Sequence, residues 1–189
     1  MSLVTKINND FITVYSTEID SEHWLSLIDK IDSNCYYFEK VERRPHETME
    51  LPNYFSSTDS IEAIELRNLF FSVLSLCMND YAKKINLVNA EPYQPFLAVS
   101  KLKPYRPMAT HQDSKKENSN GFVCMLYIND DYEGGEISFP NKEYKYKPAI
   151  GDFAFYQMNE HHSVEYVKSG IRYSMGCGFN SPIEEAKNG

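Results

Sequence analysis

The sequence predicts an α+β fold, mainly β, in which helices come first and pack against one outer face of a β-sandwich or barrel. Two observations lead to this prediction. Before residue 90 apolar residues recur at helical spacing, whereas after it prolines separate short runs rich in β-branched and aromatic residues. With 189 residues, 42% of them hydrophobic, the chain can build one core. We therefore expect a single domain over 1–189, with helical support over about 1–90 and the β core over about 91–180.

The helical part opens with a strand over residues 10–19, where β-branched and aromatic side chains dominate. Ser21 is the predicted N-cap of a first helix that ends near 32–34. The apolar face of this helix consists of Trp24, Leu25, Leu27, Ile28 and Ile31.

A second helix is predicted over about 59–84, after an irregular, proline-containing segment at 41–57. Thr58 or Asp59 can cap it. Apolar residues recur on one side of this helix: Ile61, Ile64, Leu66, Leu69, Phe70, Val73, Leu74, Leu76 and Cys77.

Short strands are predicted for the rest of the chain, at 96–100, 122–128, 136–139, 144–148, 152–157, 161–167 and 171–179. Between two of them, a turn at 130–135 ends in Gly134 and Gly135, which can both take positive φ. The hydrophilic run 114–120 is predicted to be a surface loop.

Charge and composition argue against several classes of protein. The formal net charge of −8 opposes general nucleic-acid binding, and the basic and aromatic alternation at 142–147 is typical of a half-exposed strand. The first eleven residues lack the apolar core of a signal peptide, and no apolar run is long enough to cross a membrane. We therefore expect a cytoplasmic protein with no membrane partner. Its four cysteines, which form no CxxC pair, should be buried and reduced.

Two potential metal ligands, His111 and Asp113, stand two residues apart. On an extended strand such residues project to the same face, so the imidazole and the carboxylate can share an ion. A third ligand can come from His161 or His162, at the start of a later predicted strand. Two histidines with one carboxylate form the facial triad of non-haem iron(II) oxygenases.

The residues after His162 have the form HxVxxVxxGxRYS, ending in Arg172-Tyr173-Ser174. This pattern resembles the prolyl 4-hydroxylase-like branch of the 2-oxoglutarate and iron(II)-dependent dioxygenases. Three further motifs are similar to that family: Tyr127-Ile128-Asn129, the run Gly134 to Phe139, and Pro148 to Asp152. Together they span about residues 100–176. Before His111 the chain departs from the family, with Leu102 and Tyr105 where a tyrosine and a glycine are often found.

The resemblance implies a double-stranded β-helix (jelly-roll) core and a set of roles for these residues. His111, Asp113 and His162 would bind Fe(II), Arg172 would pair with the distal carboxylate of 2-oxoglutarate, and Tyr127 would donate its hydroxyl to the same carboxylate. Ser174 could assist. The spacing to Arg172 selects His162 over His161, which would be structural or lie just outside the ligands.

The implied reaction consumes 2-oxoglutarate and O2, with ascorbate as a candidate reductant, and hydroxylates an unactivated C–H bond. A prolyl residue in a peptide or protein is the first expectation for the substrate. A free amino acid or other small molecule comes second, and an alkylated nucleobase third. Oligomeric state and closure of the 114–120 loop stay open.

Alternative interpretations come from other classes of protein. A cupin-type metal protein that does not use 2-oxoglutarate, or a non-catalytic module that keeps the barrel, would share the strand pattern. The acidic cluster Asp130, Asp131 and Glu133 could suggest calcium, but it lacks the spacing of an EF-hand loop. His23 and His46 are assigned to the surface or to packing.

Overall fold

The computed structural model of the protein describes residues 3–34, 47–52, 60–85, 91–92, 96–104, 107–114 and 121–180. Its helices are α1 (Ser21–Asn34) and α2 (Ile61–Lys84), with a 3-10 turn at Pro140–Lys142. Its strands are β1 (Val4–Asn8), β2 (Ile12–Ser16), β3 (Glu47–Pro52), β4 (Glu91–Pro92), β5 (Phe96–Leu102), β6 (Met108–His111), β7 (Phe122–Tyr127), β8 (Glu133–Gly134), β9 (Ile137–Phe139), β10 (Tyr144–Tyr146), β11 (Asp152–Gln157), β12 (His162–Val164), β13 (Val167–Ser169) and β14 (Arg172–Asn180).

Two antiparallel sheets contain most of the described strands. The large sheet has the order β1-β2-β11-β7-β14-β5-β3, with β4 paired to β14 beside β5. The small sheet has the order β10-β9-β12-β6, and β8 pairs with β13 in a separate ribbon. Apart from the hairpins β1-β2 and β9-β10, neighbouring strands in these sheets are distant in sequence, so the core depends on long-range pairing. The predicted α+β, mainly β arrangement is confirmed.

Both faces of the large sheet are covered. On β11, Phe153 and Phe155 face the helices, where their rings lie 5.5 Å from Phe70 and 4.6 Å from Tyr81. The alternate residues Ala154 and Tyr156 point the other way and pack with residues of the small sheet. Burial on two sides explains why this strand is a nearly continuous apolar run instead of an alternating one.

The helix starts differ from the predicted caps. The side chain of Asp20 accepts a hydrogen bond from the His23 backbone N–H, so Asp20 caps α1. Ser21, the predicted cap, instead donates its hydroxyl to the Ile128 carbonyl and ties the helix to the sheet. Ser60 caps α2 by accepting from the Ala63 N–H, whereas the predicted caps at 58 and 59 lie outside the described residues.

Several strand predictions need correction. Part of the segment interpreted as irregular is strand β3, which pairs with β5 along its whole length, and 41–46 and 53–57 lie outside the described residues. Strand β1 has no counterpart in the prediction. The strand expected over 161–167 is two strands, β12 and β13, separated by residues 165–166. Strand pairing decides these outcomes: β3 pairs with the distant β5 and β12 with β6 and β9, whereas β1 forms a hairpin with the neighbouring β2.

Most of the predicted apolar side of α2 is buried, namely Leu66, Phe70, Val73, Leu74 and Cys77. The prediction is wrong for Ile61 and Leu76, which are 79% and 42% exposed, whereas Leu66 is 0% exposed. Ala63 and Arg67, which were not part of the predicted face, are buried as well. The face of α1 was predicted correctly, with Trp24, Leu27, Ile28 and Ile31 all buried.

The remaining expectations concern cysteines and membranes. Cys77, Cys124 and Cys177 are buried free thiols, as expected, and Cys35 lies outside the described residues. Neither α1 nor α2, the two helices in the described ranges, has the length and hydropathy that crossing a bilayer requires.

Replacing Leu66 with Ala should lower the free energy of unfolding by about 2–5 kcal/mol, because it leaves a cavity between α2 and the sheet. Ile61→Ala in the same helix should change it by less than about 0.5 kcal/mol, since that side chain is exposed. Chemical denaturation of both variants measures the difference. Equal losses would contradict the observed orientation of α2.

Candidate active site

Two histidines meet because β6 and β12 are paired in the small sheet. His111 at the end of β6 lies directly opposite His162 at the start of β12. The centroids of their rings are 4.4 Å apart. One antiparallel pairing thus brings together two histidines that are fifty-one residues apart in the chain, and both imidazoles lie on the same side of the sheet.

Asp113 joins the histidines from a bend after β6, and not from the strand itself as predicted. Its Oδ1 lies 3.4 Å from His111 Nε2, and its Oδ2 lies 3.5 Å from His162 Nε2. The flanking residues hold this bend. The Gln112 side-chain amide donates to the Asn159 carbonyl at 2.6 Å, and the Ser114 N–H donates to the Met158 carbonyl at 3.0 Å.

The free ring nitrogens of both histidines face Asp113. His111 Nδ1 contacts the Ala109 carbonyl at 2.9 Å, and His162 Nδ1 contacts the Glu160 carbonyl at 3.0 Å. Because a carbonyl can only accept, each Nδ1 carries a proton, so Nε2 is the ring nitrogen that faces Asp113 and that can bind a metal when it is deprotonated. Ligating histidines are commonly oriented by such contacts.

The three side chains form a group that can hold a metal ion, with their ligand atoms within 4.8 Å of one another. Among the residues that the structure describes, no other cluster of three His, Cys, Asp or Glu side chains does so. Two imidazole nitrogens and one carboxylate on one side of an ion are the donor set of the facial triad, which leaves the other coordination positions open.

The two histidines differ in environment. The hydrogen bond to the Asp113 carboxylate raises the pKa of His111, which is partly exposed. Burial lowers the pKa of His162, which is 3% exposed, and the charge of Asp113 offsets part of that effect. His162 therefore favours the neutral form that a metal requires.

A cavity between the two sheets leads from His162 to Arg172. Arg172 is 5% exposed, and its guanidinium carbon lies 4.9 Å from the centroid of the Tyr127 ring. Its Nη1 donates to the Ser174 hydroxyl at 3.4 Å. The walls of the cavity are formed by Ser100, Leu102, Met108, Met125, Tyr127, Ile137, Tyr156, His162, Val164, Arg172 and Ser174.

Two buried polar atoms in this cavity fit a carboxylate ligand. Within the described residues, neither Arg172 Nε nor the Tyr127 hydroxyl has a hydrogen-bond partner. Burial raises the pKa of Tyr127, and the charge of Arg172 opposes that rise, so the phenol remains a donor at neutral pH. Buried donors are normally paired, and a carboxylate group has the acceptors that these two lack.

Sequence reasoning missed several contacts of Arg172. Gly135 has the predicted positive φ, 67°, and also leaves room for the Arg172 side chain, because a Cβ there would lie 3.1 Å from Arg172 Cδ. Tyr132 is buried nearby, beneath the Lys147 ammonium, which lies 3.5 Å from the ring centroid. Met125 and Ser100 were missed as well. Strand alternation could have identified Met125, since it stands two residues before Tyr127.

The other histidines and acidic residues lie elsewhere. His161 Nδ1 faces the Asn141 side chain at 3.2 Å, and His23 contacts Glu65 on the surface of the helices. Asp130 accepts a hydrogen bond from the Ile150 N–H, and Asp131 accepts one from the Asn129 side chain. These two carboxylates do not form a metal-binding cluster with Glu133. His46, Tyr105 and the loop at 115–120 lie outside the described residues.

His162→Ala should weaken binding of Mn(II), measured by calorimetry, by more than about 100-fold, which exceeds the usual effect of groups that only support a ligand. His161→Ala is the matched control, because it removes the adjacent imidazole without touching the cluster. Equal affinity in the two variants, or a loss in the control alone, would contradict the assignment.

No protein-family model and no curated protein matches the sequence. Several solved structures share the fold of this chain over about nine tenths of its length. A viral collagen prolyl hydroxylase from Paramecium bursaria Chlorella virus-1, in a 2-oxoglutarate complex, matches with a TM-score of 0.64 and 16% identity over 91% of this chain and 96% of its own.

Two further structures show the same architecture. A Trichoplax adhaerens prolyl hydroxylase in complex with a hypoxia inducible factor peptide matches with a TM-score of 0.62 and 14% identity, over 90% of this chain and 83% of its own. An alpha-ketoglutarate-dependent carbocyclase from nogalamycin biosynthesis matches with a TM-score of 0.63 and 12% identity, over 90% and 79%. The chain therefore has the jelly-roll fold of the 2-oxoglutarate and Fe(II)-dependent oxygenases, prolyl 4-hydroxylases among them.

Proposed function

We propose that the protein is an Fe(II)- and 2-oxoglutarate-dependent dioxygenase that hydroxylates an unactivated C–H bond. One observation carries the proposal: a single cavity is lined both by His162, a member of the His111, Asp113 and His162 cluster, and by a buried, incompletely paired Arg172. A metal protein of the cupin type that does not use 2-oxoglutarate has no need of a buried guanidinium beside its metal.

Each site residue has a defined task in this proposal. The three ligands hold the ion from one side and leave adjacent positions open. Arg172 forms a charge-assisted, bidentate pair with the distal carboxylate of 2-oxoglutarate, and the Tyr127 hydroxyl donates to the same group. When bound, iron and 2-oxoglutarate supply the activation of O2, with release of succinate and CO2.

The apolar walls of the cavity strengthen the electrostatic attraction between Arg172 and a bound anion. Leu102, Ile137 and Val164 provide apolar surface between the metal ligands and the guanidinium. Of the described residues that line the cavity, Arg172 is the one with a permanently charged cationic side chain. In a chain with a net charge of −8, this buried positive charge supports selection of an anionic cosubstrate.

A prolyl residue in a peptide or protein is the proposed substrate. Prolyl hydroxylases recur among the similar structures, and one of them contains a peptide. Asp113 is exposed and β6 is an outer strand of the small sheet, so the metal end of the cavity lies near the surface, where a peptide can reach it. A small-molecule substrate is the second candidate, favoured by similarity to the carbocyclase.

We also propose a cytoplasmic location, which the three free, buried thiols support. A reducing compartment keeps iron ferrous, and ascorbate is the proposed reductant should the ion oxidise. The net negative charge argues against nucleic acid as a partner.

Arg172→Ala should weaken 2-oxoglutarate binding by roughly 100-fold or more, since losing one partner of a buried charge pair costs about 2–5 kcal/mol. Mn(II) affinity should stay unchanged, because Arg172 lies at the other end of the cavity from the ligands. Anaerobic calorimetry with Mn(II) measures both. Arg172→Lys keeps the charge but loses the bidentate geometry, so we expect intermediate affinity. Unchanged 2-oxoglutarate affinity in Arg172→Ala would refute the role.

Proline-containing peptides incubated with the protein, Fe(II), 2-oxoglutarate and O2 should gain the mass of one oxygen atom on proline, with one succinate formed per hydroxylation. The control is His162→Ala, which should form neither product. Mass spectrometry and succinate assay give the readout. Succinate without peptide modification would keep the reaction class and reject the prolyl substrate. Absence of both 2-oxoglutarate binding and succinate in the unmodified protein would reject the reaction class.

A further inference from the structure

The floor of the cavity is built from residues that lie side by side on neighbouring strands. Tyr127 on β7, Ser174 on β14 and Ser100 on β5 are directly opposite one another, in one row across the large sheet. All three line the cavity beside Arg172. This row forms the end of the cavity where the distal carboxylate is proposed to bind.

The next row contains one large side chain among small ones. Met125 lies opposite Gly176 on one side and Ala154 on the other, and Ala98 follows Gly176 across the sheet. Of these four residues, Met125 lines the cavity and is half-buried. Its neighbours leave room for the thioether to extend sideways across the floor.

The direction of the Met125 side chain follows from Gly176. A Cβ at position 176 would lie 2.9 Å from Met125 Sδ and 3.0 Å from its Cε, which is closer than such contacts normally are. The thioether therefore crosses over β14, in the space that the glycine leaves. Met125 and Gly176 together determine how deep the cavity is at this point.

The row beyond Met125 belongs to the metal end. Tyr156 lies opposite Val123, two residues before Met125 on β7, and its ring centroid lies 4.8 Å from that of His162. Along the strand direction Met125 thus stands between the Tyr156 row, next to the metal ligands, and the Tyr127 row, next to Arg172. A ligand held at both ends has its middle carbons over the thioether.

We propose that Met125 is a specificity-determining residue, which restricts the cavity to a 2-oxo dicarboxylic acid of five carbons. This inference rests on the proposed function. Both ends of the acid are held, one by the metal and one by Arg172, so an additional methylene has to bulge sideways from the middle of the chain, where Met125 lines the cavity. There it meets the Met125 side chain, which fills the available depth. The carboxylates of a six-carbon acid could bind as those of 2-oxoglutarate do. The acid is excluded because its extra methylene would clash with the Met125 side chain.

The test is anaerobic calorimetry of the Mn(II)-loaded protein with 2-oxoglutarate and with 2-oxoadipate, which has one more methylene. The unmodified protein should prefer 2-oxoglutarate. Met125→Ala should reduce the preference for 2-oxoglutarate over 2-oxoadipate on the order of ten-fold or more, which is the discrimination that a fitted pocket usually achieves for one methylene. Met125→Leu, of similar volume, should retain the preference.

Two controls separate this inference from other effects. Met49→Ala truncates a methionine that is buried against the helices on the opposite face of the sheet, so it should lose stability and keep the preference. Met125→Val provides a second truncation suited to a strand, in case the alanine variant does not fold. An unaltered ratio in the truncated variants would overturn the role of Met125 and leave the proposed function standing. Failure of the unmodified protein to bind either acid would reject both.

Discussion

The site depends on the register of one antiparallel pair, β6 with β12, which places His111 opposite His162. Side chains alternate between faces along a strand, so a shift by one residue would present His161 to the cavity and turn His162 away. The register is supported from both sides, since β12 also pairs with β9 and the Asp113 bend is bonded to the residues that precede β12. The positions of the two histidine ligands are therefore determined by the pairing of the strands in the sheet.

Stability and chemistry lie on opposite faces of the large sheet. The face towards α1 and α2 carries the larger apolar cluster, including Phe153, Phe155 and Met175. The other face carries a smaller cluster and the cavity, with polar residues such as Ser174 and Arg172 among apolar ones. Dense packing on the helix side of the sheet holds the backbone rigid. Side chains on the cavity side can therefore serve binding without being needed for the stability of the fold.

Burial of Arg172 opposes folding and favours binding. A guanidinium removed from water with an unpaired Nε destabilises the protein relative to a fully paired one. A carboxylate ligand offsets that cost, because it provides acceptors and opposite charge in surroundings of low dielectric constant. The same reasoning explains Gly135, whose missing side chain leaves the space through which the arginine reaches the cavity.

The sequence by itself determined the two helices, the buried face of α1, and the chemical types and spacing that connect His162 with Arg172, because these are local patterns. It could not show that Asp113 acts from a bend, that 47–52 is a strand, or that the Met125 side chain extends over Gly176. Strand 47–52 exists because β5 lies beside it, and Met125 matters because Gly176 is its neighbour on β14. Only the tertiary structure decides such pairings, since the partners are far apart in the chain and a strand's own residues do not specify them.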